Sequence, residues 1–92
     1  MKTSDVPRHI CPVCGYPNLH EAPQSRSGGG SFEICPSCGY QFGVDDEDRG
    51  VTPEMHRNQW IRSGMIWFSR STPSPKGWDP RSQLRSLFPG GR

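Results

Sequence analysis

Residues 10–16 of the chain read Ile-Cys-Pro-Val-Cys-Gly-Tyr, and residues 34–40 read Ile-Cys-Pro-Ser-Cys-Gly-Tyr. Six of the seven positions are identical at an offset of 24 residues. In each copy two residues separate the cysteines, so one tight turn can present both sulfurs to the same ion, and two such turns complete a tetrahedron. The repeat therefore predicts a metal centre of four thiolates, formed by Cys11, Cys14, Cys35 and Cys38.

The proline and glycine of each copy suit a turn of this kind. Pro12 and Pro36 fix the backbone angle φ inside the turn. Gly15 and Gly39 follow the second cysteine, where the lack of a Cβ lets backbone N–H groups come close to the sulfurs. We therefore expect N–H groups to hydrogen-bond the sulfurs at these glycines.

Other uses of the four cysteines fit the sequence less well. Two disulfides would need an oxidising compartment, and a redox-active dithiol normally sits on a βαβ framework that this chain lacks. A catalytic zinc needs an open coordination position, which four cysteines would close. His9, His20 and His56 could each replace a ligand, but beside four thiolates we interpret them as exposed or capping histidines.

The composition also calls for a metal. Only 30% of the 92 residues are hydrophobic, and 11 are glycines and 10 are prolines. Few apolar side chains therefore remain to form a core. Chains this small are usually stabilised by disulfides or by a structural metal. The first residues lack the apolar segment of a signal peptide, and the longest apolar run, residues 65–68, is too short to span a membrane. We therefore expect a cytoplasmic location and no membrane partner.

Two regions are predicted. Residues 1–50 should form a zinc ribbon, with strands at 32–34 and 40–44 in a small antiparallel sheet that carries the two cysteine turns. Residues 51–92 should form a helical and aromatic extension packed on the ribbon, giving a single metal-stapled α+β domain. In that extension, Thr52-Pro53 predicts the start of a helix over 53–63, and Asp79-Pro80 that of a short helix near 80–88.

The aromatic and charged residues of the extension leave two interpretations open. Trp60, Trp67 and Trp78 are expected to form a second core, although base stacking by such rings is the alternative. Net charge is zero over residues 1–44, −4 over 45–54 and +6 over 55–92. This basic half could meet nucleic acid or an acidic protein partner, and the candidate cations are Arg57, Arg62, Arg70, Arg81 and Arg85.

Two further functions are not expected. The acidic run Asp45-Asp46-Glu47-Asp48 lacks the spacing of an EF-hand and is interpreted as a solvated loop before the first helix. No set of serine, histidine and acid stands at a known catalytic spacing, and residues 28–30 lack the Lys-Ser/Thr of a phosphate-binding loop. The chain is therefore expected not to be an enzyme.

Two resemblances add to this interpretation. The cysteine turns resemble the knuckles of rubredoxins, which implies iron and electron transfer as an alternative to zinc. Over residues 10–50 the chain resembles the bacterial cysteine-rich CPCC family of small, uncharacterised zinc-ribbon-like proteins, through residues 11–16, residues 32–39 and Asp45-Asp46. Val13 stands where that family has the inner of two adjacent cysteines.

The CPCC resemblance implies a metal-binding fold and a protein partner in a toxin and immunity context. The expected function is a non-catalytic zinc-binding module that mediates protein–protein interaction. A nucleic-acid-binding ribbon and an iron electron carrier are the alternatives.

Overall fold

Two α-helices follow the cysteine region. The computed structural model describes residues 9–23 and 29–88, and within them the helices are α1 (Pro53–Arg62) and α2 (Pro80–Arg85). The serine, glycine and proline content of residues 22–31 predicts a flexible loop, and residues 24–28 of it lie outside the described residues. Neither helix is long and apolar enough to cross a bilayer.

Helix α1 begins and ends close to the predicted residues. The Thr52 hydroxyl accepts the Met55 amide at 3.1 Å, and Pro53 occupies the first helical position. Ser63 caps the C-terminal end, and Gly64 follows with φ +108°. The predicted helix over 53–63 is therefore confirmed to within one residue.

Helix α2 is shorter than the predicted 80–88. The Asp79 carboxylate accepts the Ser82 hydroxyl and the Arg81 amide at the N-terminal end, and these bonds lower the pKa of Asp79. After Arg85, the Leu87 and Phe88 amides bond to carbonyls three residues back, a tighter turn than the α-helix. Residues 86–88 thus form tight turns and do not continue the α-helix.

The predicted antiparallel sheet does not form in the described part of the chain. Two isolated antiparallel bridges stand in its place, His9 with Leu19 and Ile34 with Gln41. Segment 32–35 does pair with segment 40–42 through three backbone hydrogen bonds, but the pairing extends no further. The zinc-ribbon sheet is therefore a wrong prediction.

The acidic run explains where the second predicted strand ends. The Asp45 carboxylate accepts the Gln41 amide at 2.8 Å, and the Asp46 carboxylate accepts the Gly43 amide at 2.7 Å. These bonds fold residues 41–48 into successive turns, so the backbone pairing of the strand predicted over 40–44 goes no further than Phe42. Within the run, Glu47 and Asp48 are exposed, whereas Asp45 and Asp46 are half-buried.

One buried cluster surrounds both cysteine turns. Trp60 is the only buried residue of α1 and belongs to this cluster, whereas Met55 on the same helix is 53% exposed. Trp67 and Trp78 pack against the cluster and are half-buried. The tryptophans thus extend the core around the cysteines rather than forming a second one. The cluster consists of Cys11, Val13, Cys14, Tyr16, Leu19, Cys35, Cys38, Tyr40, Phe42 and Trp60.

Candidate metal centre

The two cysteine turns have the same backbone geometry. We call residues 11–15 the first knuckle and residues 35–39 the second knuckle. In the first, the Cys11 amide donates to the Tyr16 carbonyl at 2.8 Å, and the Gly15 amide donates to the Cys11 carbonyl at 2.9 Å. The second repeats both bonds 24 residues later, at 3.0 and 2.8 Å. The sequence repeat is therefore also a structural repeat.

The knuckle glycines do not donate hydrogen bonds to the sulfurs, contrary to the expectation from the sequence. Their amides donate to the Cys11 and Cys35 carbonyls rather than to sulfur. Both have φ in the left-handed region, +88° for Gly15 and +83° for Gly39. A Cβ at Gly15 would overlap the Gln83 carbonyl, and one at Gly39 would lie 2.6 Å from the Phe68 ring. Glycine is thus needed because the C-terminal part of the chain packs directly on each knuckle.

The four predicted sulfurs come together at one point. The Sγ atoms of Cys11 and Cys38 are 3.9 Å apart, those of Cys14 and Cys35 are 3.7 Å apart, and all four lie within 4.8 Å of one another. A tetrahedral ion with metal–sulfur bonds of about 2.3 Å would place its sulfurs about 3.8 Å apart. The cysteines are 0–5% exposed and form no disulfide. The arrangement therefore fits a single tetrahedral metal ion.

The electrostatics of the cluster call for a cation. Hydrogen bonding with Cys11 lowers the pKa of the Cys14 thiol. The sulfur contacts with Cys11 and Cys14, together with burial, raise the pKa of Cys35 and Cys38. Four buried sulfurs therefore cannot all ionise by themselves, whereas a divalent cation would hold all four as thiolates.

The three histidines are not part of the sulfur cluster. Within the described residues, the cysteines are the only group of three or more side chains placed to share a metal ion. His56 Nε2 lies 2.8 Å from the Cys38 carbonyl, and since a carbonyl can only accept, Nε2 carries the proton and donates. His9 pairs with Leu19 through the backbone, and His20 is exposed. His56 is half-buried within α1 and contacts the second knuckle through a backbone carbonyl, so it is neither an exposed residue nor a helix cap.

Arg57 holds the first knuckle. Its Nε donates to the Val13 carbonyl and its Nη2 to the Pro12 carbonyl, both at 2.8 Å. The Phe88 ring covers the guanidinium at 5.3 Å. Arg57 was a candidate for binding phosphate, but in the structure its donors face backbone oxygens of the metal centre.

Gln83 of α2 joins the two knuckles. Its side-chain Nε2 donates to the Cys14 carbonyl at 3.2 Å and to the Ser37 hydroxyl at 2.9 Å, while its Oε1 accepts the Trp78 indole N–H at 2.8 Å. Ser37 is fully buried. One side chain from α2 thus contacts both turns that carry the sulfurs.

The second knuckle is held by the segment after α1. The amides of Phe68 and Ser69 donate to the Pro36 carbonyl, the Phe68 amide is also shared with the Ser37 carbonyl, and His56 completes the set at Cys38. The carbonyls of residues 12–14 and 36–38, which we call the knuckle carbonyls, therefore all accept hydrogen bonds from residues 56–83. The C-terminal half fixes the geometry of the sulfur-bearing turns.

Replacing Arg57 tests this arrangement. Arg57→Met keeps the apolar stem but removes both hydrogen bonds to the first knuckle, and bonds to charged groups are worth about 1.5–3 kcal/mol. We expect the free energy of unfolding of the metal-loaded protein to fall by about that amount in a urea titration at fixed free zinc. Arg62→Met, an exposed residue of the same helix, should change it little. Equal effects of the two substitutions would show that the Arg57 contacts contribute nothing.

Several of these residues carry no signal in the sequence. Gln83 and Phe68 stand at no motif, and each contacts a knuckle residue that is far away along the chain, Cys14 and Gly39 respectively. Glu33 was also not identified as structural, although its carboxylate accepts the His20 and Glu21 amides at 3.0 Å each. The only available clue is the glycine after each CxxC pair, which indicates that another part of the chain comes close.

Comparison with protein-family models, curated proteins and solved structures finds no match to this chain. The resemblance to the CPCC family therefore stays a prediction. The four clustered cysteines by themselves define the class of the protein, a cysteine-rich chain able to bind a metal ion.

Proposed function

We propose that the chain is a non-catalytic zinc-binding module whose metal centre stabilises a surface for binding another protein. The observation that carries this proposal is the closed set of four buried sulfurs with tetrahedral spacing. Structural zinc sites use four protein ligands, whereas catalytic sites keep one position for water or substrate. An ion held by all four cysteines has no such position.

Zinc is proposed over iron on the chemistry of the centre. A tetrahedral four-sulfur site suits either metal, so the arrangement of the sulfurs fits both. Zinc has no redox chemistry and needs only a rigid, closed ligand set. The knuckle carbonyls are held by side chains and backbone from residues 56–83, which supports a structural role for the ion.

Metal analysis tests this assignment. We expect protein purified from its native host to contain one zinc ion per chain by mass spectrometry of the metal, and to be colourless. One iron per chain, with visible absorption from thiolate-to-iron charge transfer, would replace the proposal with the rubredoxin-like electron carrier.

A protein partner is proposed because exposed apolar side chains surround the centre. Ile34, Ile66 and Phe68 are large, hydrophobic and each about half-exposed or more, and all three line one groove. Apolar surface of this kind commonly marks an interaction site. The nucleic-acid alternative is weaker, because the candidate cation Arg57 donates its hydrogen bonds to the first knuckle.

We therefore expect only weak binding to nucleic acid. In a fluorescence-anisotropy titration with a single-stranded RNA at physiological salt, the Kd should lie in the non-specific range of about 1–100 μM. The combined variant Arg62→Gln, Arg70→Gln and Arg81→Gln removes exposed cations without touching the knuckles. Sub-micromolar binding that this variant abolishes would favour the nucleic-acid-binding alternative.

A further inference from the structure

An open groove of about 1000 Å³ lies beside the second knuckle. Its lining comes from residues 33–36, from residues 66–72, from α1 and from residues near His20. Trp60 and Trp67 contribute to the lining, and both belong to the core or pack against it. The groove is therefore built on the same residues that surround the sulfurs.

The exposed surface of the groove is largely apolar. Ile34 is 47% exposed, Ile66 65% and Phe68 56%. Phe68 is fixed in place because its amide bonds to the second knuckle and its ring packs on Gly39. A ligand with apolar side chains would remove this surface from water without first ordering Phe68.

Ile34, one of the residues that line the groove, also has an open backbone edge. In the Ile34–Gln41 bridge the hydrogen bonds run between the flanking residues, from Cys35 to Tyr40 and from Phe42 to Glu33. The N–H and C=O groups of Ile34 and Gln41 therefore point away from each other.

The two outer edges of this bridge differ. On the Gln41 side, the amide donates to the Asp45 carboxylate, and the carbonyl accepts the Val44 and Asp45 amides. On the Ile34 side, neither backbone group has a partner among the described residues. An edge with free N–H and C=O groups can pair with an added strand.

The charge of the groove indicates the sign of its ligand. The Glu33 carboxylate already accepts two backbone amides, from His20 and Glu21. Arg70 is exposed and forms no ion pair within the part of the chain that the structure describes. Both Glu33 oxygens are thus occupied by amides, whereas Arg70 is the charged side chain of the lining that has no partner among the described residues, and a ligand carboxylate complements it.

We propose that this groove binds an extended, acidic segment of a partner protein. The segment pairs with the backbone edge of Ile34 as an added strand, places apolar side chains against Ile66 and Phe68, and places a carboxylate near Arg70. This proposal rests on the proposed function, because it specifies the chemistry of the partner of that module.

A peptide selection tests the proposal. The metal-loaded full chain is screened against a random octapeptide library, and the enriched peptides are synthesised. We expect them to alternate apolar residues and to carry at least one aspartate or glutamate. Amide NMR should show their largest shifts at Ile34 and at the Trp60 and Trp67 indoles.

Two variants and their matched controls locate the binding. Ile66→Asp should weaken the selected peptides by about tenfold or more, since it removes apolar contact and adds a repulsive charge. Met55→Asp, also about half-exposed but outside this groove, should not. Arg70→Glu should weaken acidic peptides about fivefold and be rescued by lysine in place of the peptide's acid, whereas Arg81→Glu should have no effect.

The outcomes separate this proposal from the proposed function. No enrichment, enriched peptides without acids, or equal binding to Ile66→Asp would overturn the groove proposal. Peptide shifts confined to another surface would also overturn it, while leaving a zinc-binding interaction module intact. A dimer in sedimentation that Ile66→Asp dissociates would show that a second copy of the chain occupies the groove instead. Absence of bound metal would contradict the proposed function itself.

Discussion

Removal of the metal ion should unfold the region around both knuckles. With an excess of chelator, we expect the amide NMR spectrum of the loaded protein to lose its dispersion over residues 9–23 and 35–44. Metal binding in small zinc fingers supplies about 10–16 kcal/mol at neutral pH, and most of that becomes folding free energy. Here four of the ten residues of the buried core are the cysteines themselves, so loss of the ion disrupts the centre of the only core found in the described residues.

The variant Cys35→Ser should have the same effect, because it removes one of the four ligands and leaves three buried thiols without a complete site. Addition of zinc should restore the spectrum of the chelated wild type but not that of the variant, and magnesium should restore neither, since it prefers oxygen ligands. A chelated protein that kept its dispersed spectrum over these residues would show that packing alone holds the knuckles.

The knuckles and α1 could be predicted because their information is local. Each CxxC pair lies within one turn, and the glycine and tyrosine after it repeat at the same spacing. Thr52, Pro53 and Gly64 mark the ends of α1 without reference to the rest of the chain. Each CxxC turn offers two ligands, and a tetrahedral ion takes four. The two turns are therefore expected to bind one ion together.

The sheet was wrongly predicted because the side chains after it compete for its backbone. Tyr40 to Val44 has the composition of a strand, but the Val44 and Asp45 amides turn back onto the Gln41 carbonyl, and the Asp45 and Asp46 carboxylates hold this turn by accepting the Gln41 and Gly43 amides. Tyr40 itself is buried, and its hydroxyl donates to the Val51 carbonyl at 2.6 Å. Burial, followed by the nearby carboxylates of Asp46 and Asp45, raises the pKa of Tyr40 to about 12, so it stays a donor.

The contacts between the knuckles and the C-terminal half could not be predicted from local patterns. Arg57 lies 44 residues from Val13, and Gln83 lies 69 residues from Cys14. An arginine in a basic stretch suggests phosphate, yet a guanidinium serves equally well to bind two carbonyls of one turn. Only the packed structure distinguishes these uses, and it places Arg57 as a support of the first knuckle.

Replacement of Trp60 should cause the second largest loss of stability. Its ring is 5% exposed, and its indole N–H donates to the Ile66 carbonyl at 3.0 Å, which ties α1 to the segment that holds the second knuckle. Trp60→Ala leaves a cavity beside the cysteines and should lower the free energy of unfolding of the metal-loaded protein by about 3–5 kcal/mol. Denaturation by guanidinium at fixed free zinc, followed by circular dichroism, measures this change.

Two further variants show whether burial of the Trp60 ring is the cause. Met55→Ala removes a 53% exposed side chain from the same helix and should change the free energy of unfolding by less than about 0.5 kcal/mol. Trp67→Ala should fall between the two, because that ring is half-buried and packs edge-on against Tyr16 and Trp78 at centroid distances of 5.7 and 5.1 Å. If Trp60→Ala unfolded at the same denaturant concentration as the wild type but lost partner binding, the ring would act in recognition and not in the core, and the segment holding the second knuckle would not depend on α1.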